Sequence, residues 1–150
     1  MNRERQHEIR IRTVRRDDTT RLAELAGQLG YATTVRQMAK RLGVVLKDKD
    51  AACFVAESSG EGVIGWVHVS VTGLLEVDWR AEVNGLVVDE RVRSRGAGRK
   101  LLESAEKWAR GRKCKGMSVR SNVLRERAHE FYLNHGYEHY KTQKAFRKKI

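Results

Sequence analysis

A short glycine-containing turn is the segment of this sequence best suited to hold a charged ligand. Arg93-Ser94-Arg95-Gly96-Ala97-Gly98 lies between an apolar segment and a segment with apolar residues at helical spacing. The glycines let the backbone bend sharply and let a ligand approach closely. The first N–H groups of the following helix have no intrahelical acceptors, and the helix dipole adds positive potential there. These features predict a pyrophosphate-binding turn.

Basic side chains surround this turn and add mobile positive charge: Arg93, Arg95, Arg99 and Lys100. Each hydrogen bond to a charged oxygen contributes about 1.5–3 kcal/mol, so several together would anchor a nucleotide. The turn lacks the Gly-Lys-Ser/Thr ending of a Walker loop and does not match G-x-G-x-x-G. The alternative interpretation is an ordinary glycine turn with solvated arginines.

The composition predicts one soluble domain. The chain has 150 residues, 40% of them apolar, and its 31 basic and 19 acidic residues give a charge of +12, a length typical of a single domain. We expect a charged tail at residues 1–7 and one domain at residues 8–150. No apolar run is long enough for a membrane helix, and the charged start lacks a secretory signal. Two isolated cysteines fit a reducing compartment, which predicts a cytoplasmic protein.

The order of predicted elements is strand, two helices, three strands, helix, strand, helix and closing strands. Glu8–Val14 alternates apolar and polar residues, which is typical of a half-buried strand, and Ala81–Val88 is also predicted to be a strand. Residues 137–150 are predicted to form a closing pair of strands. The pattern indicates a mixed α/β (α+β) domain around a largely antiparallel sheet, with one parallel pair formed by the crossover between Ala81 and Ser121.

Two separated motifs resemble those of the GNAT N-acetyltransferases, which transfer an acetyl group from acetyl-CoA to an amine. The matching positions are Arg93, Gly96 and Gly98 in the turn, then Asn122, Ala128, Phe131-Tyr132 and Gly136-Tyr137. The resemblance extends from about Glu8 to the end of the chain. It implies a GNAT fold: a central mixed, mostly antiparallel sheet of six to seven strands, about four flanking helices, and splayed strands at the cofactor cleft.

The same resemblance implies acetyl-CoA as the cofactor, with no metal. Backbone groups of the strand before the turn would pair with the pantetheine arm, and a bulge would free an amide to polarise the thioester carbonyl. The implied cofactor-binding residues are Leu86, Val87, Val88, Arg93, Ser94, Arg95, Gly96, Ala97, Gly98, Arg99, Lys100, Asn122, Ala128 and Tyr132.

Two side chains are implied to carry the proton transfers. Tyr132 is the candidate general acid for the departing CoA thiolate; the alternative is a core tyrosine with a satisfied hydroxyl. Glu82 is the candidate general base, acting through water, and it shares a strand face with Asn84. The alternative for Glu82 is an exposed glutamate paired with a nearby arginine. Asn122 either binds the pantetheine or serves as a turn residue.

The acceptor is predicted to be a small-molecule primary amine, similar to an amino sugar or a polyamine. The implied substrate residues are Tyr31, Trp66, Trp79 and Glu82. Acetylation of proteins or peptides is an alternative, and so is a non-catalytic basic module that binds nucleic acid. The module is disfavoured because the basic turn contains no aromatic residue for base stacking. No membrane partner is expected, and a homodimer is left open.

Other potential reactive groups are weaker candidates. His135 and His139 are four residues apart but have no cysteine pair at finger spacing, so no zinc site is expected. His68 either lines the acceptor site or faces water. Cys53 sits in an apolar strand and is expected in the core. Cys114 lies between lysines without an evident base.

Overall fold

The structure, a computed structural model, describes residues 8–150, so the expected charged tail at residues 1–7 lies outside it. Contacts divide the chain at Arg120 into two compact units, which we describe separately. No helix in the described part of the chain is both long and apolar enough to cross a bilayer.

The larger unit contains one five-stranded sheet in the order β1-β2-β3-β4-β5. The strands are β1 (Ile9–Thr13), β2 (Ala51–Ser58), β3 (Gly62–Leu74), β4 (Val77–Val88) and β5 (Met117–Val119). Neighbours from β1 to β4 pair antiparallel, whereas β4 and β5 pair in parallel. The predicted parallel pair is therefore confirmed.

Three helices cover this sheet: α1 (Thr19–Gln28), α2 (Val35–Lys47) and α3 (Ala97–Gly111). Thr34 starts α2 with a capping box, in which its hydroxyl accepts from the Gln37 N–H at 3.1 Å and the Gln37 side chain accepts from the Thr34 N–H at 3.0 Å. These bonds satisfy two N–H groups that the helix geometry leaves unpaired.

Alternate residues of the strands face different helices. One face, which we call the α1/α2 face, carries Val55 and Val87 and packs against Leu22, Leu25 and Leu42 of the two helices. The opposite α3 face is covered by the buried stripe of α3. The approach on that face is close, because a Cβ added to Gly65 would lie 3.2 Å from Leu101 Cδ1. Each face thus has its own apolar layer.

The smaller unit, Ser121–Ile150, contains the helix α4 (Glu126–Asn134). The predicted strands at residues 137–150 are wrong, since the structure has no strand there. Phe146 is 89% exposed and the segment is rich in lysine and arginine, so it has no apolar face that a strand could bury. The described residues therefore form five strands rather than six or seven, while the four helices agree with the expectation.

Candidate active site

The turn before α3 has the backbone geometry of an anion site. Ser94 and Gly96 both adopt left-handed conformations, with φ of 70° and 85°. The first intrahelical bond runs from the Lys100 N–H to the Gly96 carbonyl at 3.1 Å, so the amides of the first turn have no intrahelical acceptor. A Cβ added at Gly96 would meet no atom within 4 Å. The turn therefore offers donors, positive potential and space together.

The basic side chains around the turn differ in how firmly they are held. Arg95 donates through Nη1 to both carboxylate oxygens of Glu61, at 3.0 and 2.8 Å. Lys100 donates to the Ile9 carbonyl at 3.1 Å. Arg99 is exposed and lies 3.8 Å from Glu103. Arg93 forms no ion pair or hydrogen bond with any residue in the described range 8–150, so its guanidinium is available to a ligand.

Asp89, at the end of β4, fixes the start of the turn. Its buried carboxylate accepts from Arg21 Nη2 at 2.6 Å and from Arg91 Nη2 at 2.9 Å, as well as from the Arg91 N–H at 3.1 Å. Gln28 of α1 accepts from the Glu90 N–H at 2.9 Å. These bonds tie α1 to the turn. Sequence analysis did not identify Asp89, although a carboxylate directly after an apolar strand was the available signal.

The hydrogen bonds to Asp89 make the stability of the protein depend on pH. Bonds from Arg91, together with those from Arg21 and Gln28, outweigh desolvation and hold the pKa of Asp89 well below its usual range. A carboxyl whose pKa is lower in the folded state than in the unfolded state stabilises the fold at pH values above the unfolded pKa, which is about 3.9 for aspartate. This stabilisation is lost as the pH falls through the lower, folded pKa.

We expect Asp89→Asn to destabilise the protein by about 3 kcal/mol at pH 7, because Arg21 would lose its buried partner. Urea unfolding of both proteins, at pH 7 and again below pH 3, measures the difference. It should shrink at the lower pH, because the unfolded parent binds a proton at Asp89 below its unfolded pKa of about 3.9 while the folded parent does not. The exposed Asp17→Asn is the matched control, and a difference that stays constant with pH would contradict this account.

A bulge in β4 lies beside an unpaired stretch of its backbone. Val83 pairs with Val69 and Gly85 pairs with His68, so Asn84 is the extra residue. Parallel pairing with β5 covers only Ala81–Val83. Beyond it, no described strand pairs with that edge of β4. The expected bulge is therefore confirmed, and pairing between β4 and β5 ends before it.

The direction of one hydrogen bond shows which backbone groups face this edge. The Asp89 N–H donates to the Ile64 carbonyl on β3 at 2.7 Å. Backbone groups alternate between the two sides of a strand, so those of Val88 and Leu86 face the unpaired edge. Val87, between them, is 4% exposed and packs its side chain into the core.

Glu82 lies on the α1/α2 face of β4 and is 8% exposed. Its Oε1 accepts from Arg120 Nε at 2.8 Å, and Arg120 is itself largely exposed. The alternative interpretation expected an exposed glutamate paired with an arginine; the pairing is observed, whereas Glu82 is buried. Ser70 and Ser118 are its partners in the neighbouring strands. Asn84 is exposed and donates to Ser70 Oγ at 2.8 Å.

The other predicted substrate residues are dispersed. Tyr31, between α1 and α2, is 70% exposed. Trp66 packs against the core and over Gly85, where an added Cβ would lie 2.9 Å from its ring. Trp79 packs against Gly73. Alternation along β4 places Trp79 on the opposite side of the strand from Glu82, so the structure does not bring these two together.

Within the smaller unit, Tyr132 is half-buried on α4. Its ring makes edge contacts with Phe131 and Tyr137 at centroid distances of 5.2 and 5.6 Å. Desolvation raises the pKa of the Tyr132 phenol, against an opposing effect of Arg125. Its hydroxyl has no hydrogen-bond partner among the described residues. The satisfied hydroxyl that the core-tyrosine alternative requires is therefore not observed.

Asn122 forms a turn before α4. Its Oδ1 accepts from the Leu124 N–H at 2.9 Å, and its carbonyl accepts from the Arg125 N–H at 3.0 Å. This is the turn role expected as one of two alternatives. Ala128 lies half-buried on the same helix as Tyr132. Binding of pantetheine by Asn122 and Ala128 stays a prediction.

The remaining reactive groups have ordinary surroundings. Cys53 is 6% exposed in the core, as predicted, and burial raises the pKa of its thiol to about 12. Burial also raises the pKa of the Cys114 thiol. His68 faces the α1/α2 side, and desolvation lowers its pKa. His135 bonds the Phe131 carbonyl, while His139 bonds Thr142.

Comparison with known proteins identifies the family of this chain. Residues 13–137 match the model of the acetyltransferase (GNAT) family. An aminoalkylphosphonate N-acetyltransferase of Salmonella typhimurium is 32% identical over 103 residues, which make up 67% of this chain and 66% of that protein. The matched region is thus just under two thirds of that relative's length. The chain belongs to the GNAT family, which confirms the resemblance recognised in its motifs.

Solved structures show the same fold. The aminoglycoside N-acetyltransferase AAC(6′)-Iy, solved in complex with CoA, has a TM-score of 0.84 at 18% identity, with 96% of this chain and 97% of that chain covered. The aminoglycoside 6′-N-acetyltransferase AAC(6′)-Ih from Acinetobacter baumannii has a TM-score of 0.84 at 14% identity, with 95% and 99% covered. The predicted fold class is therefore confirmed.

Proposed function

We propose that this protein is an acetyl-CoA-dependent N-acetyltransferase that acetylates a primary amine of a small molecule. One observation carries the proposal: in a GNAT-family chain, the amide-lined start of α3 follows directly on a strand whose edge is unpaired. The first feature suits a pyrophosphate and the second suits an extended amide-containing arm. Coenzyme A contains both groups.

The residues of the larger unit fit the cofactor. The amides from Ala97 to Arg99 and the guanidinium of Arg93 would hold the pyrophosphate, with the remaining basic residues of the turn close by. The backbone groups of Leu86 and Val88 would pair with the pantetheine arm. When bound, acetyl-CoA supplies the acetyl group as a thioester.

Backbone and side-chain groups of this protein would then stabilise developing charge and transfer protons. An amide freed by the bulge at Asn84 would donate to the thioester carbonyl oxygen as negative charge develops there. Glu82 would take a proton from the acceptor ammonium through water, so that the neutral amine can attack. Tyr132 would donate its phenolic proton to the departing sulfur. A tyrosine carries this proton at neutral pH because its ordinary pKa is about 10.

Two kinds of relative support a small-molecule acceptor. The curated relative is named for aminoalkylphosphonates, and the similar structures are named for aminoglycosides. All of these acceptors present a primary amine. Tyr31 and Trp66 are retained as proposed acceptor contacts, whereas Trp79 is not, because it lies on the opposite side of β4 from Glu82.

The test of this proposal combines binding and turnover. Calorimetry should detect saturable binding of acetyl-CoA, and release of free CoA should depend on an added amine from a panel of amino sugars, polyamines, amino acids and peptides. Absence of acetyl-CoA binding would contradict the proposed function. Acetylation of peptides alone would keep the cofactor and change the acceptor.

Arg93→Gln tests the proposed pyrophosphate contact. We expect the KM for acetyl-CoA to rise about tenfold with kcat nearly unchanged, since a hydrogen bond to a charged oxygen contributes about 1.5–3 kcal/mol. Steady-state kinetics at saturating amine measures both constants. Arg110→Gln, exposed at the far end of α3, is the control and should leave both constants unchanged. A fall in kcat at constant KM would argue against a ground-state contact with the cofactor.

A further inference from the structure

Arg80, near the start of β4, has a half-buried guanidinium without a partner. The side chain of Arg80 forms no hydrogen bond or ion pair with any residue in the described part of the chain, and its Nε is shielded from solvent. Shielded polar groups in folded proteins are nearly always paired, because leaving a donor unsatisfied costs free energy. The Nε of Arg80 is therefore a shielded donor that is unused by the described residues.

The backbone of Arg80 is firmly held. Arg80 pairs with Thr72 of β3. On the other side, the Trp79 carbonyl accepts from the Lys115 N–H at 2.7 Å, and the Ala81 N–H donates to the Gly116 carbonyl at 3.0 Å. Arg80 is therefore fixed inside the sheet rather than on a loop, and a rigid element positions binding groups well.

A carboxylate lies next to Arg80 on the same face. Glu82 is two residues further along β4, and such neighbours are separated by about 7 Å along the strand. Ser118, the β5 partner of Glu82, is 9% exposed and its hydroxyl has no partner among the described residues. The Arg80 guanidinium and the Glu82 carboxylate, whose Oε1 accepts from Arg120, thus lie side by side with the unused Ser118 hydroxyl next to Glu82.

We propose that the acceptor is a short zwitterionic amine, whose ammonium group approaches Glu82 while its phosphonate, phosphate or carboxylate binds Arg80. This inference rests on the proposed acetyltransferase function and specifies its substrate class. A guanidinium binds such oxyanions through two parallel hydrogen bonds. A polycation would instead bring a second positive group close to Arg80, which is unfavourable. The acceptor class therefore differs from the amino sugars and polyamines that the sequence favoured.

Four amines that differ in charge test this assignment: 2-aminoethylphosphonate, β-alanine, ethanolamine and spermidine. The first two carry an anion, ethanolamine is a neutral-tailed control, and spermidine is the polycation. We expect kcat/KM to be at least tenfold higher for the anionic amines than for ethanolamine. Comparison of the phosphonate with the carboxylate shows which anion Arg80 prefers.

Substitutions at Arg80 separate recognition from folding. Arg80→Gln should lower kcat/KM at least tenfold more for the anionic amines than for ethanolamine, while Arg80→Lys should retain part of the preference for the anionic amines. Arg110→Gln is the control. Thermal unfolding of each variant reports its folding.

Two results would overturn the zwitterion assignment: no preference for anionic amines in turnover or in calorimetry, or an equal loss for every amine in Arg80→Gln. Failure of the underlying function would differ from both, because acetyl-CoA itself would then produce no heat of binding.

Discussion

Replacing Tyr132 with phenylalanine should lower kcat by about 100-fold or more, because a positioned general acid typically contributes about 10²–10⁴. The substitution removes only the hydroxyl and keeps the ring contacts with Phe131 and Tyr137. Folding and acetyl-CoA affinity should therefore stay close to those of the parent. Steady-state kinetics with saturating acetyl-CoA and amine measures kcat directly.

Tyr140→Phe is the matched control for this experiment. Tyr140 is 62% exposed in the segment after α4, and the same atom is removed there. Its kcat should equal that of the parent. Equal kcat for Tyr132→Phe as well would remove the phenol from the mechanism, whereas equal losses in both variants would indicate a general effect on the smaller unit.

Glu82→Gln should lower kcat/KM by about 100-fold near neutral pH, the lower range for general base catalysis. A glutamine keeps the shape of the side chain but cannot accept the proton of the acceptor ammonium. The loss should diminish as the pH rises, because a growing fraction of the amine is then already neutral. A pH profile of kcat/KM from neutral to alkaline conditions tests this expectation.

Two comparisons sharpen the interpretation of Glu82. Glu130→Gln, an exposed position on α4, should leave the profile unchanged. Arg120→Gln removes the ion pair with Glu82 but keeps the carboxylate, so it should reduce activity less than Glu82→Gln does. A loss in Glu82→Gln that is uniform across the pH range would assign Glu82 to positioning of the acceptor instead of proton transfer.

Features that depend on local sequence can be predicted from it. The turn before α3 follows from glycine spacing and from the apolar pattern of the next helix, so its geometry could be anticipated. The start of α2 is equally local, because the Thr34 hydroxyl accepts from the N–H of Gln37 three residues later. In both cases the interacting groups are close in sequence.

Features that depend on distant residues were not predictable in the same way. Asp89 receives a hydrogen bond from Arg21, 68 positions earlier, and no local pattern reveals that pair. Trp79 and Glu82 were grouped because they are near in sequence, yet alternation separates them across β4. The sequence of residues 137–150 resembles a closing pair of strands, yet no strand forms there and Phe146 remains exposed.

The extra residue in β4 has a consequence for how far this strand can change. Before Asn84, the even-numbered residues of β4 lie on the α1/α2 face. After Asn84, the odd-numbered residues Gly85 and Val87 lie on that face instead. A chain one residue shorter here would restore strict alternation and force one half of the strand to turn its apolar side chains the wrong way. Insertions and deletions should therefore be tolerated in the connections around this strand but not within it.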